Sequence, residues 1–372
     1  MRYILISIVL LFFSLANINL VQAEPSQLSA RAAVLMDAHS GEILFGKEPH
    51  KRRAPASTTK IMTALLALES GDLERVVRIS KHSAWMEIGS DIGLRPGDEL
   101  TLNELLKAAM IVSANDAAVA IAEAVGGSEQ SFAQLMNQKA VALGAYDTNF
   151  VNANGYSKAN HYSTAYDLAL ITRAALANPE FLALVGTREA VIHWRNRPVE
   201  LPVRNTNRLL WLYPGSIGVK TGTTVAAGEC LVAAAERDGW RLIAVVLGSR
   251  QRYEDTIRLL DYGFQNFSHL QILPHQEYDT VPVENGREAS VPLLTTGGIE
   301  FTCPRSEMAN LETKIIPSRS FQAPINLGER LAELVVMYHG QVVGRTDLVA
   351  GRAVERRSWL DRLLDWVRPR QG

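Results

Sequence analysis

Cysteine is nearly absent: the 372 residues contain two, Cys230 and Cys303. No disulfide framework can therefore carry the fold, and no cysteine pair stands at metal-ligand spacing. Cys230 lies in an apolar strand pattern and reads as a small core residue rather than a reactive thiol. The chain also lacks a His-Glu-x-x-His helix and a phosphate-binding glycine loop, so neither metal nor nucleotide cofactor is expected. Charge of one sign is missing too. With 38 Lys and Arg against 39 Asp and Glu, the net charge is -1 and the pI near 6.7, which gives no overall field to hold nucleic acid. Runs of apolar residues long enough to span a bilayer are lacking as well: the first, Ile4 to Leu15, is interrupted by Asn17 and Asn19 short of the roughly 20 residues required.

That first run instead reads as an export signal over residues 1–23. Arg2 supplies the positive start and Val21-Gln22-Ala23 the small residues before a cleavage point at Glu24; an uncleaved anchor is the alternative. With 47% hydrophobic and 21% charged residues, the remainder is ordinary globular material, long enough for two domains.

Arg31 to Asp37 and Glu42 to Phe45 alternate as a hairpin around the turn residues His39-Ser40-Gly41. Three further strands come much later, at Ser216 to Lys220, Cys230 to Ala235 and Arg241 to Leu247, the last two joined at Arg237-Asp238-Gly239. Helical spacing fills the interval at Thr58 to Leu68, Leu102 to Met110, Ala117 to Val125, Gln130 to Leu143 and Thr164 to Leu176, with Thr101 and Glu104 placed as a capping box. Asp255 to Phe264 suits a closing helix. The expected fold class is α/β (α+β): an antiparallel sheet made from the two ends of a domain, with helices inserted between, over residues 24–273.

Beyond Leu273-Pro274 helical periodicity stops. Tyr278 to Val283, Glu288 to Leu293, Leu331 to Tyr338 and Gln341 to Asp347 read as strands of a small β-rich domain over residues 274–350, without a catalytic constellation. Residues 351–372 change again. From Val354 to Val367, Trp359, Leu360, Leu363, Leu364 and Trp366 form an apolar face among arginines, a composition suited to a membrane surface. A helix docked on the protein itself is the other reading.

Three short motifs carry the chemistry. Ser57 precedes a strong helix, where backbone N–H groups favour negative charge, and Lys60 follows at i+3, roughly 5–6 Å away between Cβ atoms, near enough to act as its base once deprotonated. Taken alone, the pair reads better as an ordinary N-cap and a solvated first-turn lysine. Ser113-Ala114-Asn115 breaks two helices and offers a hydroxyl for proton relay and an amide for a substrate; by itself it is also a plain capped turn. Lys220-Thr221-Gly222 lies on a strand whose lysine and threonine can bind a carboxylate, while the missing side chain of Gly222 lets a substrate backbone approach. N–H groups from this strand and from Ser57 can together form an oxyanion hole.

In this order and context the three motifs form the signature of penicillin-binding proteins and class A β-lactamases. The chain resembles the low-molecular-mass penicillin-binding proteins that are serine D-alanyl-D-alanine carboxypeptidases, over nearly its whole mature length. Arg95-Pro96-Gly97-Asp98, Asn152-Ala153-Asn154-Gly155 and His161-Tyr162-Ser163-Thr164 add to the likeness. The resemblance implies a transpeptidase-like fold, Ser57 as nucleophile, Lys60 as base, Ser113 and Asn115 as second motif, and Lys220, Thr221 and Gly222 as third. It also implies a second oxyanion N–H from Thr223 and, more weakly, Arg252 for the substrate carboxylate. Some relatives carry His at the position of Thr223. The implied substrate is a peptidoglycan stem peptide ending in D-Ala-D-Ala, with β-lactams as covalent inhibitors and the outer face of the cytoplasmic membrane as location. A class A β-lactamase would need a deacylating glutamate, and between Ser131 and Pro179 the only acids are Asp147 and Asp167. A penicillin sensor without turnover and an endopeptidase stay open at this point.

Overall fold

The computed structural model describes Pro25, residues 27–86 and residues 89–359. The export segment expected at 1–23 and the terminal segment from Leu360 onward lie outside the described residues.

Five antiparallel strands make the central sheet, in the order Ile43–Lys47, Ala32–Asp37, Trp240–Ser249, Gly228–Arg237, Ser216–Thr224. Both faces are covered, which is why the inner strands read as continuous apolar runs rather than alternating ones. Val34, Met36, Val232, Ile243 and Val245 face one core, formed with the helices between the strand groups. Ala33, Leu35, Leu231, Leu242 and Val246 face a second core under the closing helix Arg252–Asn266. The turn Asp238-Gly239 has φ of 51° and 80°, the geometry that joins two right-twisted strands in two residues.

Helix Lys60–Glu69 starts directly after a 3-10 turn, Ala56–Thr59, and is buried nearly all round. Helix Leu102–Ile111 is capped by Thr101, whose Oγ1 accepts from the Glu104 N–H at 3.2 Å. The expected capping box is only half made, because the Glu104 carboxylate turns away to accept from Lys107 Nζ at 2.7 Å and from the His193 N–H at 3.1 Å. Helices Asn115–Gly126, Glu129–Ala142 and Ala165–Leu176 complete the expected set. Helix Pro179–Gly186 and the hairpin of Glu189–His193 with Glu200–Arg204 were not expected. Among the described residues no single helix is long and apolar enough to cross a membrane.

The β-rich part holds a five-stranded sheet ordered Glu277–Pro282, Ser290–Thr295, Gln341–Ala350, Arg330–Tyr338, Leu311–Pro317 over a core of Val291, Leu293, Leu334, Val336 and Leu348. Phe267–Ile272, on the near side of Leu273-Pro274, pairs with Ile299–Pro304 and so belongs structurally with the later strands. Its partner strand reaches back to the catalytic side: Thr302 Oγ1 and Trp240 Nε1 both donate to Asp37 Oδ2, at 2.5 and 2.9 Å. Burial alone would raise the Asp37 pKa, but these bonds and the Ser40 and His39 N–H groups hold it below the usual carboxylate value.

The segment expected to become helical at Val354 is extended there. Val354 is buried and exchanges backbone hydrogen bonds with Ile325 at 2.9 and 2.8 Å, and Arg356 bridges to Gly286. Apolar Val354 is better placed filling this core than opening an amphipathic face.

Candidate active site

Ser57 sits within the 3-10 turn Ala56–Thr59, where Ala56 takes the left-handed φ of 51°. Three neighbours hold that turn. Gly155, at φ +86°, lies so close that a Cβ there would be 1.9 Å from the Ala56 oxygen. Gly222 packs from the sheet edge, where a Cβ would sit 2.9 Å from the Ser57 nitrogen and 3.0 Å from Ala56 Cβ. The third is His161: its Nδ1 accepts from the Val151 N–H at 3.1 Å, and its Nε2 lies 2.9 Å from Thr59 Oγ1. Burial, and after it the Lys158 charge, depress the His161 pKa to about 4. The ring is therefore neutral, and since Nδ1 accepts, Nε2–H donates to Thr59.

Lys60 Nζ is fully buried, 3.1 Å from Ser57 Oγ, 2.6 Å from Asn115 Oδ1 and 2.8 Å from the Asn154 carbonyl oxygen. Burial first and the Lys220 charge second push its pKa well below the ordinary lysine value, with Asp116 opposing them. A neutral amine has two N–H donors and one lone pair. Asn115 and Asn154 present two oxygens for the two hydrogens, so the lone pair is left for the Ser57 hydroxyl. Asn115 thereby acquires a role beyond the substrate contact expected of it. Asp116, buried at the start of the same helix, accepts from the Ile92, Leu94 and Ala117 N–H groups, which partly offset the rise in its pKa that burial causes.

Ser113 occupies the turn between helices Leu102–Ile111 and Asn115–Gly126 with a φ of 66°. This is the left-handed position where glycine usually follows a helix, so the hydroxyl is kept at a backbone cost. Lys220 is likewise buried; burial, then the nearby Arg252, lower its pKa to about 7, and its Nζ donates to the Thr221 oxygen at 3.0 Å. Thr221 Oγ1 lies 3.1 Å from Thr206 Oγ1. Arg252 Nη1 donates to the Gly222 oxygen at 3.1 Å and to Thr223 Oγ1 at 2.8 Å, so the weakest of the sequence assignments lands on the third motif.

The structure thus joins Ser57, Lys60 and Asn115 directly, and sets Lys220, Thr221, Gly222 and Thr223 along one strand edge that abuts them, which Arg252 reaches from the start of the closing helix. It adds Asn154, Gly155 and His161, which sequence gave only as members of recurring motifs, and Ser157, whose Oγ lies 2.8 Å from Thr224 Oγ1 and ties the Asn154-Gly155 loop to the far end of that strand. A cavity of about 580 Å³ lined by Leu68, Leu73, Leu106 and Leu184 contains none of these residues. Cys230 and Cys303 are both free, and burial pushes the Cys230 thiol up to about 11, which keeps it unreactive. Among the described residues no group of three or more His, Cys, Asp or Glu could hold a metal ion.

Residues 19–251 match the peptidase S11 family, D-alanyl-D-alanine carboxypeptidase, and residues 267–356 match the C-terminal domain of penicillin-binding protein 5. The chain belongs to the D-alanyl-D-alanine carboxypeptidase family. Its relatives include D-alanyl-D-alanine carboxypeptidase DacF of Bacillus subtilis, 36% identical over 91% of this chain and 90% of that protein. DacC of Escherichia coli is 32% identical over 92% and 89%. Among solved structures, penicillin binding protein 5 from Haemophilus influenzae is 30% identical, with a TM-score of 0.68 over 90% of this chain and 100% of its own. The family's two-part architecture, an antiparallel sheet with helices followed by a β-rich domain, is the one observed here.

Proposed function

We propose that the protein is a serine DD-carboxypeptidase of cell wall synthesis that removes the terminal D-alanine from peptidoglycan stem pentapeptides. The observation that carries this reading is the placement of Lys60 Nζ, buried and 3.1 Å from Ser57 Oγ with its two hydrogens directed to Asn115 and Asn154. Ser57 Oγ attacks the penultimate carbonyl carbon while its proton passes to Lys60. The N–H groups of Ser57 and Thr223 receive the developing oxyanion. Lys220, Thr221 and Arg252 hold the terminal carboxylate against the strand edge. Ser113 relays a proton to the leaving nitrogen, the C–N bond breaks, D-alanine departs, and water then resolves the acyl-enzyme. A penicillin acylates the same oxygen because its lactam imitates the dipeptide.

The reading includes export by the signal at 1–23 and residence on the outer face of the cytoplasmic membrane, with the terminal arginine- and tryptophan-rich segment as the surface anchor. We place the division between the two domains at Phe267, where pairing with Ile299–Pro304 begins, and extend the β-rich domain through Arg357.

D-Alanine release from a soluble peptide ending in D-Ala-D-Ala tests the proposal, with a Ser57→Ala control. Release should fall at least 10⁴-fold in the control, on the order found for loss of a serine nucleophile. Penicillin labelling of Ser57 without release would point to a sensor or to an enzyme of cross-linked substrate.

A further inference from the structure

Beside the reaction site lies a surface of which the chemistry above uses only Arg252. Two aromatic rings there are each bracketed by two guanidinium groups. The Tyr253 ring has Arg252 and Arg208 at 5.4 Å each, and the Trp211 ring has Arg204 at 4.6 Å and Arg188 at 5.9 Å. The short helix Leu209–Leu212 links the two clusters, with Arg208 at its N-terminal end and Trp211 within it. The surface is continuous with the site. Tyr253 Oη donates to the Thr206 carbonyl at 3.1 Å, and the Thr206 hydroxyl touches Thr221 of the third motif. Arg204, Arg208 and Trp211 are open to solvent, the Arg204 side chain by 68%. The nearby acids are few: Glu189 lies 3.6 Å from Arg204, Glu229 accepts from the Arg252 N–H, and Glu254 is exposed next to Tyr253. In a chain whose net charge is -1, four arginines gathered on one ledge are a local concentration of positive charge.

We infer that this arginine–aromatic ledge is an accessory subsite for the carboxylates of stem peptides that neighbour the one being cut on the same polymer. The inference rests on the function proposed above and names what part of that substrate the ledge reads. A guanidinium seated on an aromatic face can turn its in-plane N–H fork to a carboxylate, and stacking lowers the entropy lost when it binds. Arg188 donates to the Leu210 carbonyl at 2.8 Å and Arg252 to Gly222 and Thr223, so the exposed Arg204 and Arg208 are the two that present a fork to solvent. A stem-bearing glycan presents such carboxylates at intervals, whereas a lone dipeptide has only the one that Arg252 receives. Exposed charges at a rim act on encounter and on KM more than on the chemical step.

The test compares two substrates: a short acylated peptide ending in D-Ala-D-Ala with no other carboxylate, and soluble uncross-linked glycan strands carrying pentapeptide stems. The double variant Arg204→Gln, Arg208→Gln should raise KM for the glycan roughly three- to tenfold and leave kcat and the short peptide unaffected, since single exposed pairs contribute little and two should compound. Raising the salt from about 0.05 to 0.5 M should remove the wild-type preference for glycan and change the variant little. The charge-keeping variant Arg204→Lys, Arg208→Lys should retain at least half of the preference.

Equal kinetics of wild type and Gln variant on glycan would overturn the inference. So would an equal loss on both substrates, which marks a structural role, or competition by polyphosphate without any glycan preference, which marks a phosphate polymer as occupant. A wild-type enzyme inactive on the short peptide would instead remove the carboxypeptidase reading, and the subsite with it.

Discussion

At the scale of single residues, the site sets backbone and solvation cost against reactivity. Ser113 is a serine in a left-handed position, a conformation costing roughly 1–2 kcal/mol for a residue with a Cβ. Ser113→Gly should therefore leave thermal stability equal or raised, by up to about 1 kcal/mol, while D-alanine release falls roughly 10²- to 10⁴-fold through loss of proton relay. Calorimetry beside the release assay separates the two; a destabilised variant would mean that the hydroxyl, not the chemistry, holds the turn. The buried lysines give a second expectation. Native Lys220 releases its proton near pH 7, whereas in an unfolded chain it keeps it to about 10.5, so between those values the unfolded state binds more protons and stability rises with pH. Lys60, lowered in the same direction, adds to the slope. Above pH 9 the unfolded chain's Cys230 thiol ionises while the native one, raised to about 11, does not, which offsets part of the lysine contribution and makes the rise shallower. Denaturant unfolding from pH 7 to 9 should show the rise, at most about 1.4 kcal/mol per pH unit per lysine, and Lys220→Met should flatten it. Because the proposed hold on the substrate carboxylate uses Lys220 as a cation, kcat/KM for the peptide should decline above pH 7 over the same range.

At the scale of elements, the site is an encounter between one 3-10 turn and one strand edge. Gly222 is the point of contact. Gly222→Ala would drive a Cβ into the Ser57 nitrogen and Ala56. The displacement should slow acylation of Ser57 by penicillin at least 10²-fold, since about 1 Å of misplacement costs that much. Mass spectrometry of the labelled protein measures it, and an undiminished rate would show that the strand can retreat without harm. The sequence reading assigned this glycine to substrate access, because spacing along a strand says nothing of what presses against its edge. The bond of His161 to Thr59 and the bonds of Lys60 to Asn115 and Asn154 were hidden for a related reason: the partners lie 102, 55 and 94 residues away along the chain. By contrast, the strands flanking the third motif and the motif-bearing helices were legible, since burial on one or both faces leaves an apolar rhythm. The overlooked strands Ile299–Pro304 and Leu311–Pro317 carry weak rhythm, the second lying on a sheet edge with mostly exposed side chains. Half of the capping box at Thr101 failed because Glu104 found stronger partners across the fold.

At the scale of the whole molecule, the C-terminal limit of the β-rich domain decides how the proposed anchor can be removed. Ending the chain after Ser358 keeps Val354 and its bonds to Ile325, and should leave the melting temperature and soluble-peptide activity unchanged while freeing the protein from vesicles. Ending it after Ala353 removes a buried valine and should lower the melting temperature of the β-rich domain, by a few degrees at the scale of a large-to-small core change. Flotation on liposomes and thermal scans of both truncations decide the matter, and a protein ending at Ser358 that still floats would place the anchor elsewhere.

The order of strands in the central sheet has a temporal meaning. Ala32–Asp37 lies between Ile43–Lys47, its hairpin partner, and Trp240–Ser249, which the ribosome makes about two hundred residues later. A chain delivered from its N-terminus carries Ser57, the proposed nucleophile, early but lacks the strand Ser216–Thr224 proposed to bind oxyanion and carboxylate, and a second neighbour for its first strand, until the last part of the domain arrives. Closure of so long a loop is slow and leaves strand edges open meanwhile. The site therefore comes into being late, and a copy that stops short of Trp240–Ser249 has no assembled site with which to cut a stem peptide or to capture a penicillin.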